Sequence, residues 1–319
     1  ASHRQSQSLA KPPVSARLTT ARFPWKPAGH GDPDLVRWLA RKLLSKASRT
    51  LGVPFGRPEV PLLELHVTHA CNLACESCSH YSDHGHRGNL DPSEADRWMA
   101  AWSGRLRVDH FNLLGGEPTI HPRLAEFVPL VRRHWPDARI SIVTNGFFLH
   151  RHPDLPAALR AAGRADIWLS VHHGDAAYTE RLRPAREMLA NWQRDHGIER
   201  AAQKQGPRRY RGFGAEMLPF EDGRPRESWQ ICPARWCKQL HDGKIWKCGP
   251  LAYLGMQKAK YELSGKWNPY LGYRPLDPSC SDRELRQFLT LEDEPVCSMC
   301  SAEPRRFALP NPMRNAPIG

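Results

Sequence analysis

The stretch LLELHVTHACNLACESCSHYS, residues 62–82, decides the fold. Leu63, Leu65 and Val67 alternate with Glu64, His66 and Thr68, the period of a strand with one face in a core. Three cysteines, Cys71, Cys75 and Cys78, follow at once on a loop. A strand that opens directly into a chemically loaded loop fits a parallel α/β sheet, where ligands bind beyond the carboxyl ends of strands.

The pattern repeats downstream. Asp91-Pro92-Ser93-Glu94 predicts a helix start with a capping acid and proline in the first turn. VDHFNLL (108–114) predicts a strand that ends at Gly115-Gly116. A helix around 121–135, perturbed by Pro129, leads to a strand at 138–144. A short helix at 154–163, a strand at 165–171 and a helix over 176–196 complete the series, with one more strand near 211–218. Strands alternating with helices imply right-handed βαβ units. Upstream, Asp32-Pro33 predicts the start of a basic amphipathic helix carrying Leu35, Trp38, Leu39, Leu43, Ala47 and Leu51, packed on its own domain. The domain organisation expected is an arm and helix at 1–60, the α/β domain at 61–219, a Cys-, Gly-, Pro- and Trp-rich module at 220–303, and a tail at 304–319.

The bounds are simple. The chain has 319 residues, 40% of them hydrophobic, and a net charge of +13. No apolar run is long enough for a transmembrane helix, and no apolar secretory segment stands at the N-terminus, so a cytoplasmic protein without a membrane partner is expected. The charge concentrates at Arg181–Arg211 and reads as a solvated basic face. No RNA-binding motif accompanies it, which sets nucleic acid aside. Nine cysteines without a secretion signal point to metal or redox chemistry more than to disulfides.

Three thiols on one loop suit an iron–sulfur cluster with one iron left open, whereas structural zinc is closed by four ligands. Cys71-x3-Cys75-x2-Cys78 after the first strand, with Gly115-Gly116-Glu117-Pro118 after the second, resembles the radical S-adenosylmethionine (SAM) superfamily. The resemblance covers about residues 61–220. It implies an α/β fold, a partial (β/α)6 TIM-like barrel. It also implies a [4Fe–4S] cluster on Cys71, Cys75 and Cys78 whose open iron is chelated by SAM. Gly115, Gly116, Glu117 and Pro118 would hold the methionine amino group, with further SAM contacts at Asn145 and Ser170. Where the family commonly has an aromatic before the third cysteine, this chain has Ser77; Tyr81 is the expected replacement. The open cluster would take electrons from a flavodoxin- or ferredoxin-type donor.

The other six cysteines lie beyond residue 230. HDGKIW (241–246) predicts a hairpin turn between Cys237 and Cys248. The late pair Cys297-x2-Cys300 could close a four-thiolate site with them. This set resembles the shortened auxiliary-cluster extension, or twitch domain, of radical SAM dehydrogenases and epimerases. The implied ligands of a second [4Fe–4S] cluster are Cys237, Cys248, Cys297 and Cys300, with Cys232 as the substitute for Cys237; structural zinc is the rival occupant. Cys232 and Cys280 are then spare, and either could serve as a hydrogen-atom donor. His172 or Glu216 could take a proton. The expected reaction is hydrogen abstraction from a sugar, cyclitol or nucleotide-linked sugar, ending in epimerisation. A dehydrogenase that passes an electron to the second cluster is the first alternative. A peptide maturase is the second, weakened by an N-terminal region too short and Pro-rich for a leader-binding domain.

Overall fold

The computed structural model describes residues 56–204, 208–209, 217–232, 235–292, 294–303, 305–306 and 311–313. The arm helix, Glu216 and most of the strand expected at 211–218 lie outside the described residues. The chain divides into two compact units, residues 1–56 and 57–319, and the second carries the site.

Five strands run in parallel order: β1 (Glu59–Thr68), β2 (Arg107–Gly115), β3 (Arg139–Thr144), β4 (Ala165–Val171) and β5 (Glu199–Lys204). Between them run α1 (Pro92–Ser103), α2 (Leu124–His134), α3 (Leu155–Ala162) and α4 (Ala176–His196). On the other edge of β1, β6 (Cys237–His241) pairs parallel, and β7 (Lys244–Trp246) returns antiparallel to it. The sheet order is therefore β5-β4-β3-β2-β1-β6-β7. Six parallel strands with alternating helices make the expected partial TIM-like barrel. The sixth strand comes from the hairpin assigned by sequence to the second module.

Period-two alternation is realised on β1. Leu63, Leu65 and Val67 are fully buried in one core with Met99 and Trp102 of α1 and Phe127 and Val128 of α2. Asp91 caps α1 by accepting from Ser93 N at 2.8 Å, and Pro92 fills the first turn. The helix at 121–135 starts later than its sequence suggests, because Pro118–Ile120 forms a separate 3-10 turn and α2 begins at Leu124. Pro129 sits inside α2, where it removes one backbone donor without ending the helix.

The opposite face of the sheet looks into the barrel and is polar. His110 Nε2 lies 2.6 Å from Ser141 Oγ, Ser141 donates to Asp166, and Arg139 Nε donates to Asp166 Oδ2 at 2.7 Å. Burial, aided by the charges of Arg139 and Arg164, pushes the His110 pKa down from 6.5 to about 4. The unfolded chain then binds the extra proton below pH 6.5. Stability is full above that pH and falls as pH drops towards 4. Between pH 7 and 5 the expected loss is about 2 kcal/mol. Urea midpoints of wild type and His110→Asn across that range test it; equal pH slopes for the two would sink the assignment.

Candidate active site

The cysteine loop, the diglycine, Glu117, Asn145 and Ser170 converge at the carboxyl ends of β1 to β4. β1 stops at Thr68, whose hydroxyl donates to Gly88 O at 3.0 Å and accepts from Ala70 N at 3.2 Å. The root of the cysteine loop then lies directly on the diglycine that ends β2. Gly116 N donates to Thr68 O at 2.9 Å and Glu117 N to Ala70 O at 2.8 Å. A Cβ on Gly115 would fall 2.3 Å from Thr68 O, and one on Gly116 2.3 Å from Ala70 O. Two glycines are required here because backbone passes over backbone with no room for a side chain.

The loop folds back on itself through two left-handed residues, Ser77 (φ 60°) and Tyr81 (φ 56°), on either side of Cys78. Cys78 N donates to Cys75 O at 3.2 Å and Tyr81 N to Cys78 O at 3.1 Å. The three thiols stay within electrostatic reach. The Cys71 thiol is pushed up chiefly by burial, then by the Glu117 charge, with Cys78 and Cys75 adding to it. His172, just beyond β4, places Nδ1 3.4 Å from Cys75 Sγ, and its backbone N donates to Tyr178 Oη at 3.1 Å.

Glu117 is a clamp. It is buried, and its Oε1 accepts from Thr119 N at 3.0 Å and from the Thr144 hydroxyl, while Oε2 accepts from Asn145 N at 2.7 Å. Burial raises its pKa against these hydrogen bonds, which act in the other direction. The carboxylate thus joins the ends of β2 and β3. Asn145 in turn donates through Nδ2 to Asn72 Oδ1, at 2.8 Å, inside the cysteine loop. Asn72 was not singled out by sequence; its place between Cys71 and Cys75 was the available signal. Ser170 is buried at the end of β4. Tyr81 is 1% exposed and packs with Leu251, Tyr253 and Trp267, its hydroxyl donating to Pro250 O at 3.3 Å. The structure thereby sets Tyr81 at the seam with α6 (Gly249–Lys260). A late segment also reaches the loop: Ala74 N donates to Pro312 O at 3.0 Å, and Asn311 Nδ2 to Asp175 Oδ2 at 2.7 Å.

The second cysteine set divides. Cys232, Cys248, Cys297 and Cys300 line one cavity, with Trp229 and Arg235 at its wall. Cys232 follows α5 (Pro225–Ile231), Cys248 caps α6, and the last two flank Met299. The buried Lys247 stands beside them, with Nζ 2.5 Å from Glu294 Oε1. Burial pushes the Cys297 thiol up to about 12, and the Lys247 charge opposes that shift. Cys237 is not among the lining residues; it opens β6 opposite Leu62. Cys280 sits elsewhere again. Arg105, just before β2, reaches Cys280 Sγ at 3.5 Å and Cys280 O at 2.6 Å. That is the amino end of the sheet, opposite the cysteine loop.

Sequence also missed a histidine cluster. His66, His69, His80 and His241 surround Tyr253, with His66 stacked on it at 4.2 Å. Neither ring nitrogen of buried His66 has a hydrogen-bond partner among the described residues. No three His, Cys, Asp or Glu side chains among those residues form a single-ion site.

The radical SAM superfamily profile matches residues 65–208, the segment that carries the loop, the diglycine and the clamp. The chain carries a radical SAM domain. Its cofactors are a [4Fe–4S] cluster and SAM, and the local chemistry fits them: three thiols on one loop, rooted on a glycine cradle that any Cβ would fill. The radical SAM domain is similar to mycofactocin maturase MftC of Mycobacterium ulcerans, 30% identical over 119 residues, which is 37% of this chain and 31% of that protein. It is also similar to a probable GTP 3',8-cyclase of Saccharolobus solfataricus, 36% identical over 120 residues, 37% of this chain and 36% of that protein. The chain thus spans about a third of the length of the curated relatives it matches. Among solved structures, BtrN in complex with AdoMet and 2-DOIA aligns at 17% identity and a TM-score of 0.42, over 75% of this chain and 92% of that one. Streptococcus suis SuiB bound to S-adenosylmethionine aligns at 18% identity and 0.39, over 56% and 42%. Among the described residues, no helix is long and apolar enough to cross a membrane.

Proposed function

We propose that this radical SAM enzyme oxidises a carbinol carbon of a hydroxylated ring, a sugar or cyclitol, to a carbonyl. The observation that supports this most is the cavity shared by Cys232, Cys248, Cys297 and Cys300. Four thiols beside a buried lysine suit a second [4Fe–4S] cluster, since the ammonium offsets the negative charge of thiolate ligands. In this reading Cys71, Cys75 and Cys78 hold the first cluster, and Gly115 to Pro118, Asn145 and Ser170 position SAM. When bound, these groups supply a 5′-deoxyadenosyl radical that takes the hydrogen atom and a sink for the second electron. The chain's own work is positional. The diglycine fixes the loop root, Glu117 binds the ends of β2 and β3, and Asn145 holds the loop through Asn72. A flavodoxin- or ferredoxin-type donor would supply the electron to the loop cluster.

Oxidation is favoured over epimerisation because neither thiol expected as a hydrogen donor is placed for it. Cys232 lines the four-thiol cavity, and Cys280 lies at the other end of the sheet. Epimerisation stays as a second reading on one observation. Cys237, outside the proposed ligand set, shares the inner face of β6 with Gln239.

Metal analysis of protein purified without oxygen tests the ligand set. Wild type and Cys237→Ala are expected to hold about eight iron with matching sulfide, and Cys232→Ala about four. One zinc with about four iron in wild type would remove the electron sink and with it the dehydrogenase. Turnover of a ring substrate in deuterated water separates the two outcomes: a carbonyl product supports oxidation, and one deuterium at an inverted carbon supports epimerisation.

A further inference from the structure

The four thiols of the second cavity come from three separate segments. Cys232 follows α5, Cys248 stands between β7 and α6, and Cys297 and Cys300 belong to the late 3-10 turn Pro295–Met299 and its C-cap. Ligands this far apart in the chain carry a large entropic cost of closure, unless the fold has already gathered them.

Two buried side chains do the gathering. Lys247, the residue before Cys248, is 6% exposed and lines the cavity. Its ammonium leaves its own hairpin and reaches the segment just ahead of Cys297. Nζ donates to Leu291 O at 3.3 Å, to Glu292 O at 3.4 Å and to Glu294 Oε1 at 2.5 Å. Glu294 is the N-cap of the late turn, and its carbonyl accepts from Cys297 N at 2.9 Å. The cation therefore grips the residue from which the turn starts. On the other side Ser228 of α5, 2% exposed, donates through Oγ to Cys300 O at 2.9 Å. The late pair is thus tied at both ends, its start to the Cys248 segment and its end to the Cys232 segment.

The two ties differ in strength. Lys247 to Glu294 is charge-assisted, whereas Ser228 to Cys300 O is a neutral bond. Burying an ammonium is costly, and an apolar side chain would fill the space at less cost if packing were the only need. A cation in the cavity wall also suits a centre ligated by thiolates.

We propose that Lys247 and Ser228 are the positioning residues of the second metal centre, with Lys247 the stronger: together they bring Cys297 and Cys300 to Cys248 and Cys232. The proposal rests on the reading above that these four thiols hold a metal centre, and assigns the residues that assemble it.

Metal analysis and hydrogen-exchange mass spectrometry on the anaerobically reconstituted full chain test this. The variants are Lys247→Met, Lys247→Arg and Ser228→Ala. Methionine keeps an unbranched chain and removes the charge. Lys247→Met is expected to fall from about eight iron to about four. Its amides over residues 291–300 are expected to exchange at least about tenfold faster, while those of β1 to β4 keep the wild-type rate. Arginine restores a cation with several donors, so Lys247→Arg is expected to recover most of the lost iron. Ser228→Ala is expected to speed exchange in the same segment by a smaller factor. Full iron with wild-type exchange in Lys247→Met would overturn the proposal and leave the ligand reading intact. Iron loss that arginine does not reverse would overturn it too, because the charge would then be immaterial. Zinc in place of the second four iron in wild type would remove the electron sink argued above, yet loss of that zinc in Lys247→Met would still support the ties. About four iron and no zinc in wild type would end both readings, since the four thiols would then hold no metal.

Discussion

Replacing any one of Cys71, Cys75 and Cys78 by Ala is expected to reduce 5′-deoxyadenosine formation to background and to remove about four iron per chain. The size of the effect follows from the loop. Three thiols are all that this loop offers, and SAM would take the remaining iron, so the site has no protein ligand in reserve. His172 places Nδ1 3.4 Å from Cys75 Sγ, yet it comes from a different strand end. The loss should be selective. Cys232→Ala is expected to lose the other four iron while single-turnover SAM cleavage survives, because Cys232 lines a separate cavity. Iron and sulfide counts with a quenched assay for deoxyadenosine check both halves. A loop variant that still cleaves SAM would defeat the assignment of Cys71, Cys75 and Cys78.

Much of this was legible in the order of residues. The alternation around Leu63, Leu65 and Val67 was strong because those side chains enter the apolar core under the helices, while Glu64, His66 and Thr68 face the other side of the sheet. The cysteine loop and diglycine were legible because covalent spacing and backbone crowding are local properties. What escaped was decided by distance in space. Cys232 and Cys237 are five residues apart, and spacing alone favoured the one on the hairpin. Only the tertiary arrangement sets Cys232 beside Cys248, Cys297 and Cys300, while Cys237 becomes the first residue of the sixth parallel strand. Glu64 read only as the polar side of a strand with one face in a core. Its true neighbours, Asn112 and Gln239, lie 48 and 175 residues away. The histidine cluster around Tyr253 escaped for the same reason, since His66 and His241 both reach Tyr253 only because β6 pairs with β1.

The second large effect is expected from one methyl group. In Gly116→Ala the new Cβ would stand 2.3 Å from Ala70 O, 2.6 Å from Ala70 C and 2.7 Å from His69 O. All three are backbone atoms and cannot rotate away. Either the diglycine or the root of the cysteine loop must move, and Cys71 follows Ala70 directly. Overpacking of this kind costs about 1–3 kcal/mol. A displacement of about 1 Å at a reacting centre lowers turnover by about a hundredfold. The functional loss should therefore exceed what the stability loss accounts for. Gly255→Ala is the matching control: it lies within α6, has nothing within 4 Å of its Cβ, and is expected to stabilise slightly. Melting temperature, iron content and deoxyadenosine formation, measured on both variants, separate crowding from a general intolerance of alanine. Full iron and unimpaired SAM cleavage in Gly116→Ala would show that the loop root shifts freely, and that the close passage of Ala70 over Gly116 does not set the position of the thiols.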